Sequence, residues 1–151
     1  MSSTSHPDPA DPHDLARFLR AQEGVYDTGL GELRRGRKRS HWRWFIFPQR
    51  DGLATSPLAR QDALHGLDEA QAYLALRELG PRWVECCRAL LAVEGRTAVE
   101  IMGHPDDRKL RSSATLFTRV PGAPPEFQAV LDRYHDGQPD ARTLALLNPV
   151  G

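Results

Sequence analysis

Residues 81–95 read PRWVECCRALLAVEG. Trp83, Val84, Cys87, Leu90 and Leu91 recur at the spacing of one face of an α-helix. Pro81 suits a first helical turn, where an amide hydrogen has no carbonyl to meet, and Gly95 suits the stop. The face is bulky and continuous, so this stretch predicts a helix at the centre of a core. Composition extends that reading to the whole chain. Leu and Ala together number 36 of 151 residues, against nine Ile and Val. Straight-chain and small residues lose little freedom in a helix, whereas β-branched ones favour strands.

Outward from this stretch the same punctuation repeats. Asp14 can cap a helix carrying Leu15, Phe18 and Leu19, closed by Gly24. Residues 25–35 carry Tyr26, Leu30 and Leu33 and end at Gly36, with Arg34 and Arg35 where cations suit the negative end of the helix dipole. In SHWRWFIFP (40–48) Trp42, Trp44 and Ile46 alternate like a strand, yet Phe45 and Phe47 fill the other face. A short buried helix is favoured there, because a lone strand has no partner. Ser56-Pro57 opens a helix to about His65. Asp68 caps the next, which carries Tyr73, Leu74 and Leu76 and ends at Gly80. Beyond Gly95, Thr97 and Glu100 form a capping-box pattern. Gly103-His104-Pro105 begins a helix through Leu110, Ala114 and Phe117. Pro124-Pro125 opens another with Phe127, Val130, Leu131 and Tyr134. Pro139 starts the last, with Leu144, Leu146 and Leu147. The expected architecture is all-α: a compact single domain of about nine short helices over residues 14–148, with no fixed-period repeat.

Residues 1–13, MSSTSHPDPADPH, lack periodicity and apolar surface, so they are expected to be a flexible tail. They do not resemble a signal peptide, which makes the cytoplasm the default location. No apolar run reaches the ~18 residues of a membrane span. Twenty basic and twenty acidic residues give no net charge, which disfavours a globally basic nucleic-acid binder. Cys86 and Cys87 are adjacent and read as helix packing rather than a disulfide or a metal site. No Walker loop, GxGxxG, HExxH or GxSxG occurs, so neither a cofactor nor a metal is indicated.

Two polar segments stand out. Residues 34–44, RRGRKRSHWRW, hold six cations and no acid. Cations interleaved with His and Trp suit an anionic, ring-bearing ligand: guanidinium forks for phosphate or carboxylate, flat faces for stacking. Residues 104–115, HPDDRKLRSSAT, place Asp106 and Asp107 in a first helical turn, where Asp107 can pair with Arg111. Ser113 falls one turn before Phe117 on the apolar stripe, and a buried hydroxyl there must find a partner.

Residues 26–49, YDTGLGELRRGRKRSHWRWFIFPQ, resemble a bacterial family known as domain of unknown function 1810. Its pattern is Y-D-x-x-L-x-E-L-x-x-G-x-K-x-S-H-W-x-W-F-x-F-P-Q. Residues 103–117, GHPDDRKLRSSATLF, resemble its second signature, G-x-x-D-x-x-K-x-x-S-S-x-T-L-F. Arg43 departs from the usual Met and makes that position look solvent-facing; Ala54 stands where Gly is usual. The resemblance spans roughly residues 13–147. It implies an all-α domain of this size and supplies no activity, catalytic residue or cofactor.

The leading functional expectation is one pocket for a small anionic, nucleotide-like ligand, built from the 37–49 and 104–115 segments. Arg37, Lys38 and Arg39 would supply charge. Ser40, His41, Trp42, Trp44 and Gln49 would supply stacking and hydrogen bonds, and Lys109, Ser112 and Ser113 further polar contacts. His41, Asp106 and Asp107 are the candidate acid/base groups, should such a ligand be turned over by hydrolysis or glycosidic cleavage. The rival readings are an interaction module that docks an acidic partner on the basic 34–43 segment, and a purely structural role for both motifs.

Overall fold

Trp83 is fully enclosed, as the pattern at 81–95 requires. The computed structural model describes residues 11, 14–39, 48, 64 and 66–147. Among the described residues the chain forms eight helices and no strand. They are α1 (Ala16–Gln22), α2 (Tyr26–Arg34), α3 (Leu67–Ala75), α4 (Leu79–Ala92), α5 (Ala98–Met102), α6 (Asp106–Thr118), α7 (Glu126–Tyr134) and α8 (Ala141–Leu147). The helices expected at 40–48 and 56–65 lie outside the described residues.

Two helices organise the packing. Helix α4 lies against α2, α3 and α7, and α6 lies against α3, α5, α7 and α8. A chain of rings joins them. Phe18 of α1 meets Tyr73 of α3 edge-on at 5.2 Å, and Tyr73 meets Phe117 of α6 at 5.5 Å. Phe117 stacks on Phe127 of α7 at 5.3 Å, and Trp83 of α4 touches both, at 6.0 and 5.2 Å. Such pairs add about 0.5–1.5 kcal/mol beyond the area they bury. Each ring comes from a different helix, so the cluster fixes how the helices sit on one another. Cys86 and Cys87 are enclosed in the same core. Burial pushes the Cys86 thiol up to about 12 and Cys87 well above its ordinary value, which keeps both protonated and unreactive.

Local signals place the helix ends. The Thr97–Glu100 capping box forms as its spacing predicts: the Glu100 amide donates to Thr97 Oγ1 at 3.1 Å and the Thr97 amide to Glu100 Oε1 at 2.8 Å. Four other ends differ from expectation. Asp14 does not cap α1; both carboxylate oxygens of Asp11 do, accepting from the Leu15 and Ala16 amides at 2.8 Å each. Gly66, not Asp68, is the cap of α3, and Asp68 lies in its first turn. Helix α3 ends at Ala75, and Gly80 lies inside α4. A Cβ on Gly80 would sit 2.0 Å from the Leu74 carbonyl oxygen, so this glycine serves the close α3–α4 crossing rather than a helix stop. Asp140, one residue past Pro139, caps α8 by accepting from Thr143 N at 2.9 Å and Thr143 Oγ1 at 2.7 Å. Thr143 is therefore the buried residue of this short helix, and Leu144, Leu146 and Leu147 are only half-buried.

Candidate functional site

The first polar segment leaves α2 through Gly36, whose φ of +77° is the left-handed turn that favours glycine. Three backbone contacts then fix its path. Arg37 N donates to the Glu32 carbonyl at 3.0 Å and Lys38 N to the Ile101 carbonyl at 2.7 Å. Arg39 N donates to Glu32 Oε1 at 2.8 Å. On this path Lys38 turns inward while Arg37 and Arg39 turn out. Lys38 Nζ lies 3.1 Å from Asp106 Oδ2, with the two side chains only 6% and 19% exposed. Further along, Ser113 Oγ donates to the Pro48 carbonyl at 2.6 Å in a buried contact, which is the partner this hydroxyl requires. Asp106 and Ser113 are two turns apart on α6, about 10 Å of helix. The two polar segments, far apart in sequence, thus meet along one stretch of α6.

The outward side is a cleft of about 420 Å³ lined by Glu32, Arg35, Arg37, Arg39 and Arg96. Arg96 Nη1 donates to the Gly36 carbonyl at 3.4 Å, which places this side chain over the turn. Among the described residues, Arg35, Arg37 and Arg39 form no ion pair. Arg34 differs, lying 3.5 Å from Glu85. Glu32, the acid in the cleft, is buried. A second opening of about 480 Å³ is bordered by Arg37, Lys38 and Arg39. Clustered guanidinium groups repel one another and favour an anion between them. Arg96 was not legible as a site residue: it is a single cation in the loop before α5, and only the fold brings it to Gly36.

The remaining candidates distribute differently. Asp106 is held by Lys38, and Asp107 Oδ1 lies 3.0 Å from His104 Nδ1. Arg111 does not pair with Asp107 as its spacing suggested. Its Nε donates to the Gln138 carbonyl at 2.8 Å and its Nη2 to the Pro139 carbonyl at 3.2 Å, tying α6 to the approach to α8. Lys109 and Ser112 line a separate cleft with Pro105, Arg108, Arg111, Asp140 and Arg142. Ser112 Oγ donates back to the Arg108 carbonyl at 3.2 Å. Ser40, His41, Trp42, Trp44 and Gln49 lie outside the described residues. Among the described residues, no group of three His, Cys, Asp or Glu side chains is placed to hold a metal ion, and no helix is long and apolar enough to cross a membrane.

Fold and clefts together define a small helical domain whose two polar segments close on each other beside clustered arginines. The chain belongs to the family described as protein of unknown function DUF1810, whose model matches residues 12–147. It is similar to the conserved hypothetical protein Rv1873 from Mycobacterium tuberculosis, seen in a crystal structure. The two are 51% identical with a TM-score of 0.90, over 93% of this chain and 100% of that one. No curated protein matches the sequence.

Proposed function

We propose that the chain binds a small anionic, nucleotide-like ligand where the 37–49 segment crosses the 104–115 segment. The observation that carries this reading is the cleft of Arg35, Arg37, Arg39 and Arg96, in which three guanidinium groups have no ion-pair partner among the described residues. In a chain with no net charge, such a concentration is suited to a phosphate or carboxylate held by guanidinium forks. The 104–115 segment supports the cleft from behind. Asp106 holds Lys38, which sets the direction of Arg37 and Arg39, and Ser113 holds Pro48. Ser40, His41, Trp42 and Trp44, between those two anchors in the sequence, and Gln49, just after the second, join the proposal from sequence as stacking and hydrogen-bonding groups. Asp106 and Asp107 are both engaged, with Lys38 and His104, which favours binding and positioning over proton transfer.

The test is calorimetric titration with ADP and inorganic pyrophosphate. Each of Arg37→Ala, Arg39→Ala and Arg96→Ala should weaken binding about 10-fold or more, since a hydrogen bond to a charged group contributes about 1.5–3 kcal/mol. The Tm of the Arg37 and Arg39 variants should stay unchanged. Absence of binding to both compounds, together with binding of polyglutamate, would overturn the small-ligand reading in favour of an acidic protein partner.

A further inference from the structure

We infer that the cleft between α6 and α8 is a second, separate site, suited to a small phosphorylated sugar. It encloses about 330 Å³ and is lined by Pro105, Arg108, Lys109, Arg111, Ser112, Asp140 and Arg142. Four of these side chains are cations and one is an acid.

Among the described residues, the acids nearby do not pair with Arg108 or Arg142. Asp106 is engaged by Lys38, and Asp107 by His104. Asp140 directs Oδ2 at the Thr143 amide and hydroxyl. Among the described residues, Arg108 and Arg142 form no ion pair or side-chain hydrogen bond. Arg111 is fixed by the Gln138 and Pro139 carbonyls through Nε and Nη2, so its guanidinium is oriented before any ligand arrives. A fixed guanidinium loses little freedom on binding, which raises its value as an oxyanion contact.

Asp140 narrows the class of ligand. Its Oδ1 takes no hydrogen bond among the described residues, and it lines the same cleft as the cations. A carboxylate oxygen repels a bare anion but accepts from hydroxyl groups. Cations for one end and a carboxylate for the other match a molecule that carries a phosphate and vicinal hydroxyls. The volume lies at the lower end of the ~300–1,000 Å³ range of small-molecule sites, so a sugar phosphate fits better than a dinucleotide. The site rests on Arg108, Arg111, Arg142 and Asp140, none of which contributes to the arginine cleft beside α2.

Titrating the full chain with ribose 5-phosphate, inorganic phosphate and ribose tests the inference. Ribose 5-phosphate should bind about 10-fold tighter than inorganic phosphate, and ribose should show no measurable binding. Arg108→Ala and Arg142→Ala should each weaken both phosphate compounds with no change in Tm. Asp140→Asn keeps a side chain able to cap α8 and should remove most of the preference for the sugar phosphate. Arg37→Ala should leave the preference for ribose 5-phosphate over inorganic phosphate unchanged. Equal affinity for phosphate and ribose 5-phosphate would overturn the assignment of the ligand. Binding that is lost in Arg37→Ala but retained in Arg108→Ala and Arg142→Ala would overturn the site, and so would no binding of either phosphate compound. ADP titrations of the Arg39 and Arg96 variants report separately on the first cleft.

Discussion

Replacing Lys38 with methionine keeps most of the side-chain volume and removes the charge facing Asp106. The ammonium it removes is enclosed, with the Lys38 side chain 6% exposed, and the carboxylate left behind is 19% exposed. Stripping one partner from a buried pair costs about 3–5 kcal/mol, because the other charge stays desolvated. Partial exposure of Asp106 lets water reach it, which brings the expected loss to about 2–3 kcal/mol. For a chain of this size each kcal/mol shifts Tm by about 2–4 °C, so Lys38→Met should melt about 4–12 °C lower. Asp106→Asn should be milder, because an amide oxygen still accepts from Lys38. In the double variant Lys38→Met/Asp106→Leu neither charge is buried alone, so the two losses should not add. A coupling of at least about 1.5 kcal/mol is expected from urea unfolding of the four proteins in the cycle. Lys38→Met should also weaken ADP binding at the arginine cleft, since Arg37 and Arg39 flank it in the chain. Additivity to within about 0.5 kcal/mol would refute the claim that this pair ties the two segments together.

Three further outcomes follow from other parts of the fold. Gly80→Ala forces a methyl group onto the Leu74 carbonyl and should cost about 3 kcal/mol or more, read by urea unfolding; a neutral result would mean the α3–α4 crossing yields easily. Trp83→Ala empties the middle of the aromatic cluster and should cost about 3–5 kcal/mol in the same assay, whereas a loss under about 1 kcal/mol would contradict its enclosure. The His135 imidazole is held below its ordinary value first by burial and then by Arg111, against the opposing pull of Asp107 and Asp136, and its Nε2 has no hydrogen-bond partner among the described residues. The unfolded chain therefore takes up this proton first as pH falls. The contribution is full above about pH 6.5 and is lost as pH falls through the depressed folded value, so His135→Gln should flatten the fall in urea midpoint below that pH. An unchanged slope would show that His135 does not report the burial of the α7 end.

Most of the helical framework is legible in the sequence because each helix carries its own apolar face and local stop. Trp83, Phe117 and Phe127 announce themselves by spacing, and the Thr97–Glu100 box by chemistry within one turn. The misplaced ends share a cause: competition among nearby groups that satisfy the same rule. Asp11 and Asp14 are both acids before α1, and the one whose two oxygens reach two amides takes the cap. Gly80 looks like a terminator because glycine usually ends helices, but here its missing side chain is needed by a carbonyl on the neighbouring helix. Arg111 has an acid one turn away, yet two carbonyls from the loop before α8 hold it instead. Such long-range partners leave no mark on local spacing.

The site divides along the same line. Local composition marks a run of cations at 34–39 but cannot separate them, since each offers the same charge. Burial separates them: Lys38 faces Asp106 inside the molecule, and Arg37 and Arg39 face a cleft completed by Arg96. The residues at which the two segments meet, Lys38, Pro48, Asp106 and Ser113, all stand at positions on which the resemblance to the family rests, as does Glu32, which holds the Arg37 and Arg39 amides. Arg35, Arg37 and Arg39 stand at positions that its pattern leaves open. A lysine suits the first task, because a single ammonium on a flexible stem can reach one carboxylate in a closed space, and arginine suits the second, because its fork stays charged and presents several donors to an oxyanion. On the proposed function, these signature residues hold the segments together and the arginines meet the ligand, so the two sets of variants should separate in experiment: loss of stability from the first, loss of affinity without loss of stability from Arg37 and Arg39.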